Sequence, residues 1–167
     1  MPQDAREVAY EVAMQRLDSQ LSRVDAVDSK VGTVLGLAAA ITGIFAGFAA
    51  VVVDPEKSAS VVAAGLLGLV VLVVFLAAVR EGLAALKLEM WDERPNWDEL
   101  LRSAEELDVA SMHAWVAEGC VLSLKDNEPK VVKKAHCAAN ARRLALIEAA
   151  LVGASLISLL VVNAAAS

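Results

Sequence analysis

Between Val31 and Val53 the chain carries 23 consecutive residues without a charge. A helix rises about 1.5 Å per residue, so the run reaches roughly 35 Å, enough to cross a hydrocarbon core of about 30 Å. Two further stretches repeat the pattern: Ser58 to Val79 is uncharged over 22 residues, and Leu144 to Ala166 is broken only by Glu148. Three such runs predict three transmembrane helices. The competing reading is a water-soluble helical bundle, because Ala and Gly are weakly hydrophobic and the first and third runs are rich in both. Val61 to Val79 argues against it, being too uniformly apolar to leave a helix face for water. Composition agrees, with 57% hydrophobic residues, mostly Ala, Val and Leu, and only 4% aromatics.

Charge placement orients the spans. Of the 15 Lys and Arg residues, four precede the first span, Lys57 alone lies between the first two, and the other ten fall between Arg80 and Arg143. Basic residues collect on the cytoplasmic side, so the amino terminus and the long middle segment are expected inside and the carboxyl terminus outside. No apolar core of a signal peptide occurs in the first thirty residues, and the first span is expected to direct its own insertion. The expected fold is therefore an all-α integral membrane protein. It has a cytoplasmic amphipathic helix over 1–30, spans over 31–53, 58–80 and 142–166, and a cytoplasmic helical segment over 81–141. A net charge of −6, with bases interleaved among acids, excludes the basic patch that a nucleic acid polymer requires.

Local signals refine this outline. Tyr10, Met14, Leu17, Leu21 and Val24 recur at fours and threes, an amphipathic stripe that leads through Asp28 into the first span. Val53-Asp54-Pro55-Glu56 predicts a tight turn, making the first two spans an antiparallel hairpin. The apolar period continues past Arg80 to Leu83, Leu86 and Met90, so the second helix is expected to run on toward Pro95. Asn96 with Glu99 reads as a capping box, Asp108 as the cap of a helix bearing Met112 and Trp115, and Lys125 to Pro129 as a turn. A basic helix then feeds the third span.

Four groups of residues are candidates for function. Gly32, Gly36, Ala40, Gly43, Gly47 and Ala50 share one face of the first span, a groove that admits another helix backbone closely. The chain's own third span is the expected occupant, with a neighbour's helix as the alternative. At membrane depth, Asp28, Lys30, Arg142, Arg143 and Glu148 need partners or water, because a charge in lipid is costly. Asp28 with Arg142 or Arg143, and Glu148 with Lys30, are the expected ion pairs. Otherwise Glu148, Ser155 and Ser158 would line a polar path favouring cations. Trp91, Trp97 and Trp115, near Arg94 and Arg102, are expected to anchor the cytoplasmic helices or a subunit contact, or to form a pocket for a flat anion. His113, Cys120, His136 and Cys137 lack the spacing of a zinc site, and both cysteines are expected to be reduced packing residues. No nucleophile elbow, phosphate loop or HExxH occurs, so no enzyme and no cofactor is expected.

The layout resembles the Pycsar transmembrane effectors of bacterial antiphage defence and their SLATT-type relatives. The likeness rests on an amphipathic first helix, the Asp28-Ser29-Lys30 approach to a Gly-rich span, a hairpin, a polar insert, and a Lys-rich helix, PKVVKKAHCAANARRLALIEAAL, feeding the last span. It implies a homo-oligomeric effector in the bacterial inner membrane that perturbs or permeabilises the bilayer on receiving a cytoplasmic signal, with a cyclic nucleotide as the implied ligand. The other reading of the same residues is an accessory or scaffold subunit whose glycine groove receives a partner's transmembrane helix.

Overall fold

The computed structural model describes residues 3–53, 58–87, 91 and 97–165. These form α1 (Gln3–Val52), α2 (Ser58–Leu86), α3 (Trp97–Glu106) and α4 (Val109–Ala165), with no strand among them. The three long helices, α1, α2 and α4, are each long and apolar enough to cross a membrane, which suggests a membrane protein. The expected hairpin turn at 54–57, and Met90, Arg94, Pro95 and Asn96, lie outside the described residues.

α1 has no internal proline and runs unbroken, as the stripe leading into the first span predicts. α4 also runs unbroken, through Pro129, which corrects the turn expected at Lys125 to Pro129. A proline in a helix removes one amide and crowds the carbonyl four residues earlier, here that of Lys125. Lys125 and Pro129 are both exposed, so this part of the helix faces outward. Ser123 and Asn127, by contrast, are completely buried. The packed face continues across the proline, and its burial outweighs the local preference for a break.

The chain divides into two units, Met1–Val27 with Leu88–Lys134, and Asp28–Lys87 with Ala135–Ser167. In the first unit α1 and α4 lie parallel. Their core is Ala13, Val116, Ala117 and Cys120, flanked by Tyr10, Met14, Leu17, Leu100, Met112 and Trp115. The Cys120 thiol donates to Met14 Sδ at 3.7 Å, and Tyr10 stacks on His113 with ring centroids 4.8 Å apart. The predicted stripe is offset at one position: Gln20 is buried at 6% exposure and Leu21 is 39% exposed. As expected, Asp108 caps α4, its Oδ1 accepting from the Ser111 amide at 2.7 Å.

The second unit joins the carboxyl-terminal half of α1, α2 and the end of α4. α1 buries Val31, Ala38 and Phe45; α2 buries Val71, Ala78 and Ala85; α4 buries Ala141, Ala145, Glu148, Val152, Ser155 and Leu159. Steps of seven, or of four and three, are the seam of left-handed coiled-coil packing. α2 runs antiparallel to α1, with Gly68 against Phe45 and Gly82 against Leu35. At Gly82 a Cβ would stand 2.7 Å from Leu35 Cδ2, so glycine there allows the close approach. The outward faces are apolar too: Leu37, Ile44, Val51, Leu66, Val73, Ile157 and Val161 are each more than half exposed. Water penalises such surface by about 25 cal/mol per Å², whereas lipid does not.

Candidate functional site

The period that packs α1 against α4 in the second unit places a carboxylate inside it. Glu148 occupies the slot between Ala145 and Val152 on α4 and is completely buried. Thr42 Oγ1 on α1 donates to Glu148 Oε1 at 2.5 Å, and Glu148 Oε2 is buried without a hydrogen-bond partner. The expected pairing with Lys30 is corrected. Lys30 precedes Thr42 by 12 residues, roughly 18 Å along the helix, and is exposed. The position of Glu148 along the third span does not by itself reveal the offset between the two helices, which makes Thr42 its neighbour. Thr42 was therefore missed; a lone hydroxyl on an apolar helix, able to meet an acid, was the available signal.

Arg142 and Arg143 are exposed and Asp28 is half-buried. Ser155 lies inside the unit at 4% exposure, seven residues beyond Glu148, whereas Ser158 is exposed and donates to Ala154 O at 2.9 Å. The interior polar line is thus Thr42, Glu148 and Ser155, with Ser158 outside it. Asn140 and Glu81 add a hydrogen bond between α4 and α2 at 3.4 Å. A carboxylate with one oxygen held by a hydroxyl and the other open can accept a hydrogen bond or ligate a cation.

The glycine groove turns away from this interior. Gly32, Gly36, Gly43 and Gly47 are exposed, as are Ala40 and Ala50. A Cβ added at any of the four glycines would meet no atom within 4 Å. The expectation that the chain's own third span fills the groove is corrected, because α1 packs inward through Val31, Ala38 and Phe45, a neighbouring stripe on the same helix. The close contacts to glycine come instead from α2, at Gly82 and Gly68, which the sequence reading passed over.

Trp115 packs on the core of the first unit, Trp91 is half-buried, and Arg102 is exposed. Arg94 and the side chain of Trp97 lie outside the described residues. No group of three or more His, Cys, Asp or Glu side chains among the described residues could hold a metal ion. Burial pushes the Cys120 thiol above its ordinary range, aided by the negative charge of Asp18. Compared with family models, curated proteins and solved structures, the chain matches none.

Proposed function

We propose that this chain is a homo-oligomeric, non-enzymatic effector of a bacterial inner membrane, with its amino terminus in the cytoplasm. Its first unit receives a signal or partner, and its second perturbs or permeabilises the bilayer. The observation that carries the reading is the open glycine face of α1, where four would-be Cβ positions have no neighbour within 4 Å. Lipid tails are as apolar as leucine, so helices associate in membranes through close packing, for which small residues leave room. A second copy offers the same face, and two such faces meet symmetrically about a twofold axis.

The buried Thr42–Glu148 pair fits a closed resting form, with the polar groups sealed inside each protomer. Separating α1 from α4 at this level would open a carboxylate to the membrane interior and favour cations there. Purified protein in liposomes is expected to pass ions and to run as a homomer in mild detergent. Tight vesicles together with a monomeric species would overturn the proposal. Copurification of a second membrane protein at fixed stoichiometry would instead assign the glycine face to a partner's helix and the chain to a scaffold role.

A further inference from the structure

In the first unit, Arg16, Ser19, Gln20 and Arg23 fall on one face of α1 and border a cavity of about 360 Å³, closed on the other side by Leu124 and Glu128 of α4. The volume is at the small end of ligand-binding pockets. Arginines on a surface helix usually pair with acids three or four residues away. Arg16 has Val12, Ala13, Ser19 and Gln20 at those positions, and Arg23 has Ser19, Gln20, Ala26 and Val27. Neither has an acidic partner on its own helix, in a chain whose net charge is −6.

Gln20 makes the cavity specific. It is 94% buried, given its 6% exposure, and its Nε2 donates to Leu124 O at 3.3 Å and to Glu128 Oε2 at 3.4 Å. Two acceptors around one nitrogen set the orientation of the amide, and they leave Oε1 buried without a donor. Both bonds are at the long end of the range, so the amide can turn toward a better partner. Guanidinium groups bind phosphate and carboxylate oxygens through paired N–H donors, and the Ser19 hydroxyl adds another donor. The lining's one acid, Glu128, already accepts from Gln20, so two guanidinium groups border the cavity against a single carboxylate, a balance that suits an anion carrying a hydrogen-bond donor of its own.

The geometry points to a binding site for a small phosphate ester with an amino or hydroxyl group. Its phosphate is held by Arg16, Arg23 and Ser19, and the Gln20 amide turns to bring its buried Oε1 to the ligand's donor. Two sources share this chemistry, a free organic phosphate and the headgroup of a phospholipid.

The probe is phosphoethanolamine, titrated calorimetrically into the full chain in phosphatidylcholine nanodiscs, with methyl phosphate and ethanolamine as partial probes. Phosphoethanolamine is expected to bind more tightly than methyl phosphate, and ethanolamine not to bind. Arg16→Gln with Arg23→Gln, both at exposed positions, should weaken binding about tenfold or more without changing the helical spectrum. Gln20→Met should abolish the preference for phosphoethanolamine over methyl phosphate while methyl phosphate still binds. If phosphatidylethanolamine in the discs displaces the soluble probe, the natural occupant is a headgroup; if affinity is unchanged, it is a free phosphate. Equal affinity of the wild type and the double arginine variant, or no binding of either phosphate probe, overturns the site. The readout involves neither ion flux nor subunit number, so its failure leaves the membrane-effector reading standing.

Discussion

At Glu148, one hydroxyl separates a half-satisfied buried carboxylate from an unsatisfied one. Thr42→Val keeps the volume and removes the donor, so Oε1 loses its partner and both carboxylate oxygens are left without one. Leaving a buried acceptor unmade costs about 1–3 kcal/mol, whereas replacing both partners with apolar groups is close to neutral. Thr42→Val should therefore lower stability by about that amount, and adding Glu148→Leu should restore most of it. Thermal unfolding in detergent distinguishes the cases; an unchanged Thr42→Val midpoint would dismiss the bond as a stabilising contact. Asp108 is the outward counterpart. Hydrogen bonds from Ser111, backbone first and side chain second, hold its carboxyl below the ordinary 3.8, with Arg6 contributing. The unfolded chain then binds the proton more readily than the folded one. The contribution is complete above 3.8 and disappears as pH falls through the lower folded value. Asp108→Ala should unfold more readily than wild type at neutral pH, and the two unfolding midpoints should converge in acid. A gap that persists in acid would assign the loss to something other than the charged cap.

At the scale of elements, long uninterrupted runs were legible because a bilayer offers the backbone no alternative hydrogen bonds, and α1, α2 and α4 carry them all. Asp108 was legible as a cap because its side chain acts on its own first turn. Pro129 was not, since the burial of Ser123 and Asn127 decides whether α4 continues, and that burial is invisible locally. The inward face of α1 was obscured for another reason. In an apolar span polarity does not mark the buried side, and the glycine stripe drew attention from the seven-residue series of Val31, Ala38 and Phe45. The same series on α2, Val71, Ala78 and Ala85, identifies the packing that Gly82 serves. Gly82→Leu should overpack against Leu35 and destabilise the second unit by about 1–3 kcal/mol, and Leu35→Ala should relieve part of the cost. A double-mutant cycle on unfolding free energies tests this; strictly additive effects would mean that the two side chains do not share the space.

For the whole molecule, glycines with opposite surroundings provide a separation that few single substitutions achieve. Gly82 is closed in by Leu35, whereas Gly36 and Gly43 have nothing within reach of an added Cβ. Changing Gly36 and Gly43 to Leu therefore adds side chains only to open space within one chain, and glycine in a helix is already the weaker choice by roughly 0.5–1 kcal/mol. The isolated chain should keep its helicity and unfold no more easily than wild type. In an assembly held by backbone approach across these positions, the same leucines push the helices apart, and the homomer should dissociate in light scattering of detergent-solubilised protein. Loss of assembly with intact folding would locate the subunit contact on the outward face of α1. An unchanged oligomer would move that contact to another surface and deprive the proposed effector of its central support. Falling stability with an unchanged subunit number would show that the face is occupied within the chain after all.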